Sequence, residues 1–408
     1  MPPLPESRQD ALALDRDDPL AAARDLFALP EGVTYLDGHS LGPATRAAID
    51  AVQRGAGEAW ANGLIGSWNA EGWIDLPRTV AARLAPLLGA APGEVIVTDS
   101  VSVNLFKLAA AALPLAKGRV LGVEEDEFPT DAYVLDGLGA LVGCEVRRLP
   151  SGRGGDFLAD EGGVLVRSVV NYRTARLADM EAHEAAARQG GGLVVWDTSH
   201  ATGVVPLDLR ARGARLAAGC TYKYLNGGPG APAFVYVAQA LAGDLQTPIR
   251  GWFGHSEPFA FGLDYTPKDG AARFAAGTPP VLSLLALDAA LGAFERKNPA
   301  ALWQKAGMLG DLCTARAEAM GFEILSPRDR RARGGHVTLR HEEGYPIVQA
   351  LIARGIIGDF RAPDAIRFGL SPLFLSHAEL WDAMDQVEDV LASRAYDDPA
   401  FRVRAAVT

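Results

Sequence analysis

Cysteine is scarce: Cys144, Cys220 and Cys313 are the three in 408 residues. They stand far apart, with no CxxC or Cys/His metal spacing, so neither a disulfide framework nor a bound metal is expected. Cys220 lies in an apolar stretch, where a free thiol behaves as a small buried hydrophobe. Positive charge is also short, since 39 Lys and Arg against 50 Asp and Glu leave a net charge of −11. Such a surface repels a phosphate backbone and no Lys/Arg-rich run offsets it, so nucleic acid is not an expected partner. Long apolar runs are missing too: LAAAALPLA falls short of the roughly 18 residues of a membrane-spanning helix. The opening MPPLPESRQDALALDRDD carries acids in place of the apolar core of a secretory signal. A cytoplasmic protein with no membrane contact is expected.

What is present is ordinary globular material, with 49% hydrophobic and 22% charged residues. The length implies two or three domains. From Glu94 to Val237, short β-rich runs (EVIVTD, RVLGVE, CEVRRL, GVLVRSVV, LVVWDT, RLAAGCTY, APAFVYVA) alternate with helical patterns, the signature of an α/β fold with a mostly parallel sheet. After Pro280 an apolar helix leads into a second set of strands, GHVTLRH, GIIGDF and AIRFGLSP, with helices YPIVQALIARG and AELWDAMDQVEDVLASR, an α+β arrangement. The expected units are an N-terminal segment (1–45) packing with the small domain, a large domain (46–285) and a small C-terminal domain (286–408).

In CTYKYLNGGPGAPAF, Lys223 sits between two tyrosines, after an apolar strand and before a Gly/Pro-rich turn. Burial of an ammonium lowers its pKa, and a neutral amine is what attacks an aldehyde. The bland alternative is a covered stem with its head in solvent. In LVVWDTSHATG, Asp197 ends an apolar strand, at the carboxyl edge where ligands of open α/β sheets gather. A carboxylate there suits the pyridine nitrogen of pyridoxal 5′-phosphate (PLP), although a turn or cap residue fits equally. His200 follows, placed for cofactor or substrate, or simply structural. TDSVSVNLFKLAAAAL reads as strand, Ser-rich turn and helix, whose N-terminal N–H groups suit a phosphate at Val101 and Ser102; a plain N-cap serine is the alternative. EFPTDAY offers Phe128 as an aromatic lid with Asp131 nearby, or Phe128 as core. The order Ser turn, Asp, Lys is that of fold-type-I PLP enzymes.

Together CTYKYLNGGPG, YLDGHSLGP, GWFGH, VNYRTA and IRFGLSP resemble kynureninases along nearly the whole chain. The resemblance implies a fold-type-I PLP-dependent transferase-like fold. It also implies hydrolysis of L-kynurenine, and of its 3-hydroxy analogue in some members, to the anthranilate and L-alanine. That reaction belongs to tryptophan catabolism and NAD precursor supply. By motif, Lys223 forms the internal aldimine, Asp197 pairs with the pyridine nitrogen, and Tyr222 is the family's candidate proton relay. Val101, Ser102, Phe128, Pro129, Thr130, Asp131, Ser168, His200, Tyr222, Trp252 and Thr278 match cofactor-contacting positions. Trp252 and Thr278 resemble contributions from a neighbouring subunit, which implies a homodimer with shared active sites. Arg367 matches the clamp for the substrate α-carboxylate, a task suited to a planar fork; a surface ion pair is its bland alternative. Trp68, Gly277 and Thr278 resemble the aryl-binding region, and Trp68 is otherwise a packing residue. The chain departs from the family where His39 replaces the usual Asn of DGNSLG, which bears on the polarity of the substrate pocket, and where SHAT replaces Ala-His-Ser-Ala. A cysteine desulfurase or selenocysteine lyase is the competing enzyme class, but it needs a loop cysteine that neither Cys220 nor Cys313 resembles. A catalytically silent PLP-binding protein is the third alternative.

Overall fold

The computed structural model describes residues 3–404, so the outermost residues of the N-terminal and C-terminal segments lie outside the description. In chain order the strands are β1 (Thr34–Tyr35), β2 (Val95–Val97), β3 (Val120–Glu124), β4 (Glu145–Leu149), β5 (Val164–Ser168), β6 (Leu193–Asp197), β7 (Leu216–Gly219) and β8 (Phe234–Val237). Then come β9 (Glu323–Ile324), β10 (His336–Arg340), β11 (Ile356–Ile357), β12 (Asp359–Arg361) and β13 (Ala365–Gly369). Seven strands build the central sheet in the order β2-β8-β7-β6-β5-β3-β4. Neighbours from β4 to β7 run parallel, while β8 is antiparallel to both β7 and β2. β3, β5 and β6 lie under helices on both faces, which is why VLGVE, VLVRS and LVVWD read as near-continuous apolar runs.

The crossover helices Val101–Ala112, Pro129–Val142 and Met180–Gly190 fall where the helical spacing places them, and Gly154–Glu161 is a fourth that the spacing did not mark. Three of them stop at left-handed glycines, Gly143 (φ 67°), Gly162 (φ 64°) and Gly191 (φ 79°), a conformation that side chains with a Cβ rarely adopt. One sheet face packs a core of Leu105, Leu108, Leu135 and Val195. The opposite face continues without a break from Trp196 and Leu225 through Leu287 and Leu309 to Val337 and Phe368 of the second sheet.

That second sheet is antiparallel, in the order β12-β13-β10-β9. GIIGDF, read as one strand, is two: β11 pairs parallel with β1, and β12 pairs with β13. Gly358 makes the break, since a Cβ there would meet the Phe368 ring at 2.7 Å. A 21-residue helix, Pro299–Ala319, was evident in sequence only around Cys313. The first helix, Arg8–Arg16, is held to the last long one, His377–Ala392: Arg8 pairs with Asp382 at 2.6 Å, and Asp15 accepts the N–H groups of His377 at 2.7 Å and Ala378 at 2.9 Å. Among the described residues, no helix is long and apolar enough to cross a membrane.

Candidate active site

Parallel strands deliver their C-terminal ends to one edge of a sheet, so the chemistry-bearing residues after β3, β5, β6 and β7 converge there. The register sets Ser168 beside Asp197 and Asp197 beside Ala218. From β7 the chain turns at once through Tyr222 and Lys223, with Asn226 in the left-handed region (φ 59°) and its N–H donating to the Lys223 carbonyl at 2.9 Å. The segment after β1 lies directly on this turn. Gly42 donates to the Tyr222 carbonyl at 2.8 Å, and a Cβ at Gly42 would fall 2.2 Å from the Lys223 carbonyl oxygen.

Lys223 Nζ stands 2.8 Å from His200 Nε2. Burial lowers the lysine's pKa; Cys220 and Asp197 oppose that, and the Arg367 and Arg361 guanidiniums add to it. The same burial, followed by Lys223, keeps the His200 imidazole well below its ordinary range. Asp197 is buried and accepts the Ser199 N–H at 2.7 Å, so it makes a local turn bond as well as facing the lysine. Its pKa is raised by burial, against the pull of Ser199 and Lys223. Asp131 is pushed well up by burial, then by Asp197 and Glu127, and its Oδ2 has no hydrogen-bond partner. These buried carboxyls face one lysine that itself resists charging, so the group is short of both positive charge and donors. A ligand with a protonated ring nitrogen and a hydroxyl meets that shortage.

Arg367, at the middle of the small sheet on β13, is fully buried and therefore not a surface ion pair. Its Nε and Nη2 grip Asp359 at 3.0 and 2.8 Å, Nη1 donates to the Tyr172 carbonyl at 2.6 Å, and Ser40 Oγ lies 3.3 Å from Nη2. The two sheets thus present Lys223 and Arg367 to a common space, close enough that Arg367 depresses the lysine's pKa.

The remaining expected residues divide. Val101 and Ser102 open the helix Val101–Ala112, while its cap is Ser100, whose Oγ accepts the Val103 N–H at 3.4 Å. Phe128 is 44% exposed, which excludes the core alternative, and meets Tyr172 edge-to-face at 5.3 Å. Pro129 and Thr130 begin the helix behind it. Burial raises the Tyr222 phenol. Trp68, Trp252, Gly277 and Thr278 make their contacts away from Lys223. Trp68 packs on Trp73 and Phe253, Trp252 packs on Phe253 and Phe259, and exposed Gly277 and Thr278 border a cleft of about 200 Å³ with Thr98 and Asp99. The three cysteines offer no nucleophile, since burial raises each thiol, Cys313 to about 12.

Sequence reasoning missed Glu127, His336, Asp359 and Lys107. Lys107 alone carried a signal, a charge at an inward position of the apolar helix VSVNLFKLAAAA; Glu127 lies in the acidic turn after β3, and His336 and Asp359 open β10 and β12 without such a mark. Glu127 is 5% exposed, accepts from Arg167 at 2.9 Å, and is pushed up to about 7, chiefly by burial. The folded chain therefore binds this proton more tightly than the unfolded chain. Stability falls as pH rises from the ordinary glutamate value through about 7. Glu127→Gln is expected to flatten that fall by at most about 3 kcal/mol. Thermal midpoints of both proteins at acidic and alkaline pH measure it; parallel curves would refute the assignment.

The apo cysteine desulfurase of Thermococcus onnurineus NA1 superposes with a TM-score of 0.77 at 16% identity, over 91% of this chain and 98% of that one. A C-DES mutant with glycine covalently linked to its PLP cofactor superposes at 0.76 and 18%, over 88% and 97%. The fold is that of the fold-type-I PLP enzymes. Residues 302–387 match the family model of the kynureninase C-terminal domain. The kynureninases of Burkholderia pseudomallei strain 1106a (44% identical, 99% of this chain and all of the relative) and Pseudomonas fluorescens (43%, 98% and all) align end to end. This chain belongs to the kynureninase family.

Proposed function

We propose that the chain hydrolyses L-kynurenine, and 3-hydroxy-L-kynurenine alongside it, to the anthranilate and L-alanine, with PLP carried on Lys223. The observation that carries this reading is the pairing of Lys223 with His200 at 2.8 Å opposite a buried, fork-held Arg367, in a chain aligned end to end with kynureninases. Bound PLP supplies an electron sink for the pair left when the substrate Cα–H breaks. Asp197 would hold the proton on the ring nitrogen, with Asp131, Ser168 and His200 as the other residues that would surround the cofactor. Val101, Ser102 and Thr130 serve the phosphate, and Phe128 with Pro129 covers the ring. Lys223 would hold the cofactor's aldehyde carbon, and its amine, kept neutral by burial, would move the Cα proton. Water adds to the γ-ketone of the substrate, and as the Cβ–Cγ bond of that hydrate breaks, its oxygen stays on the carboxyl carbon of the anthranilate while Tyr222, its phenol held protonated by burial, would deliver a proton to Cβ. Arg367 holds the α-carboxylate, Trp68, Gly277 and Thr278 shape the aryl side, and His39 sets the polarity of the substrate pocket beside Lys223.

The large unit, 46–285, carries the cofactor; residues 286–408 with the packed 1–45 segment close over it from the substrate side. We place the protein in the cytoplasm as a homodimer in which Trp252 and Thr278 serve the partner's site. Supporting this, Trp60, Leu64, Ile65, Trp252 and Phe259 are exposed apolar side chains, and Leu64 and Ile65 border one groove with Trp68 and Pro279. Mixing Lys223→Ala chains with Trp252→Ala chains should restore activity to roughly a quarter of wild type, because random pairing yields about half heterodimers with one intact site each. No recovery above the separate variants would show that each site is built within one chain. The reaction itself is tested by following anthranilate fluorescence from the purified protein with each substrate; no product from either would end the proposal.

A further inference from the structure

Three histidines from three separate segments meet beside Lys223. His39 lies in the turn after β1, His200 in the loop after β6, and His336 opens β10. The His39 and His336 rings stack with centroids 5.0 Å apart and 20° between planes, and His200 stands 5.6 Å from His336 and 6.1 Å from His39. All three are buried, His39 completely. Both ring nitrogens of His39 and Nδ1 of His200 lack hydrogen-bond partners, whereas His200 Nε2 meets Lys223. Room for the His39 ring depends on Gly369, where a Cβ would fall 2.3 Å from His39 Nδ1.

Cations dominate the surroundings. Arg367 on β13, Lys223 after β7, Arg361 on β12 and Arg333 before β10 all face the group. Of the nearby carboxylates, Asp359 is taken up by Arg367 and Arg361, at 2.8 and 2.9 Å. Asp37 remains, with Oδ1 3.3 Å from His39 Nδ1 and outside hydrogen-bond alignment. Burial first, and Arg367 next, hold His39 and His336 well below the ordinary imidazole range, so at rest the stack is neutral. Burial and Asp359 raise Asp37 to about 6, which leaves it ionised at neutral pH.

We infer that His39, backed by Asp37, is a proton-holding site that loads when a carboxylate docks on Arg367. The inference rests on the reading of Arg367 as the substrate clamp. A bound carboxylate cancels the field of that guanidinium, the largest charge opposing protonation of His39. Among the three histidines His39 alone has a carboxylate at ion-pair distance, so the proton settles on its Nδ1. A substrate arriving as an ammonium ion must shed one proton before its nitrogen can attack carbon. That N–H bond breaks, an imidazole N–H forms, and no electrons are exchanged. His39 is then a positioning residue for the proton beside Lys223 and His200, and an asparagine in its place has no basic nitrogen for the task.

The test uses the holoenzyme and propionate, which has the carboxylate but no amine. Calorimetric titration in buffers of different ionisation enthalpy counts the protons taken up. Wild type is expected to take up about half a proton or more per propionate near neutral pH, and His39→Asn and Asp37→Asn at least about fivefold less while still binding. Wild-type binding without uptake would overturn the inference and leave the clamp standing, and so would full uptake by both variants. Binding of propionate unchanged in Arg367→Ala would instead remove the clamp, and the inference with it.

Discussion

Lys223→Ala is expected to lower turnover of L-kynurenine by at least about 10⁴-fold, because one side chain both carries the cofactor and moves the Cα proton. The loss should not come from unfolding. The folded lysine has a depressed pKa and binds its proton less tightly than the unfolded chain does, so it costs stability at every pH below its ordinary value. Removing it should leave the thermal midpoint at neutral pH equal to wild type or higher. The obvious competitor, buried Lys107, is already engaged, with Asp99 at 2.5 Å and the Phe274 carbonyl at 2.6 Å. Borohydride reduction followed by peptide mass analysis should therefore place the cofactor on the peptide containing position 223 and nowhere else. Turnover surviving in the variant, or a trapped adduct on another lysine, would dismiss the assignment.

Strand periodicity located the central sheet almost residue for residue, since strands buried on both faces must be apolar throughout and VLVRS or LVVWD has no other way to fold here. Lys223 and Asp197 were legible for the converse reason: charge inside such runs is costly enough to need an explanation. What stayed hidden depends on tertiary approach. GIIGDF carries no local mark of being split between two partners, because the constraint at Gly358 comes from the ring of Phe368 on the next strand. His336 and Glu127 looked like unremarkable polar residues until folding set one against His39 and the other against Arg167. Asp359 precedes Arg367 by eight residues, and only the antiparallel pairing of β12 with β13 makes them register partners.

That pairing determines what Arg367→Lys should do. Arg367 spends its Nε and one Nη on Asp359 and directs another Nη to the Tyr172 carbonyl, so its plane is fixed before substrate arrives. Lysine keeps the charge beside Asp359 and spares the fold the cost of a buried carboxylate left with only Arg361 and Ser40. It cannot hold Asp359 and present a second, oriented edge at the same time. The expected result is a fall in kcat/KM of about 10²- to 10³-fold, carried mainly by KM, since the α-carboxylate is gripped in ground and transition states alike. Arg367→Ala should be worse in two respects, adding a stability loss of about 1–3 kcal/mol, because Asp359 loses its buried partner and keeps only half-exposed Arg361 at 2.9 Å and the Ser40 hydroxyl at 2.9 Å. Asp359→Asn separates the two contributions, because it loosens the guanidinium without removing it and should raise KM by less than Arg367→Lys does. Initial rates over a range of kynurenine concentrations, with thermal midpoints for the same proteins, decide the matter. Were Arg367→Lys to leave KM unchanged and lower kcat alone, the guanidinium would be acting on the bond-breaking steps, and the carboxylate would have to be held by some other group.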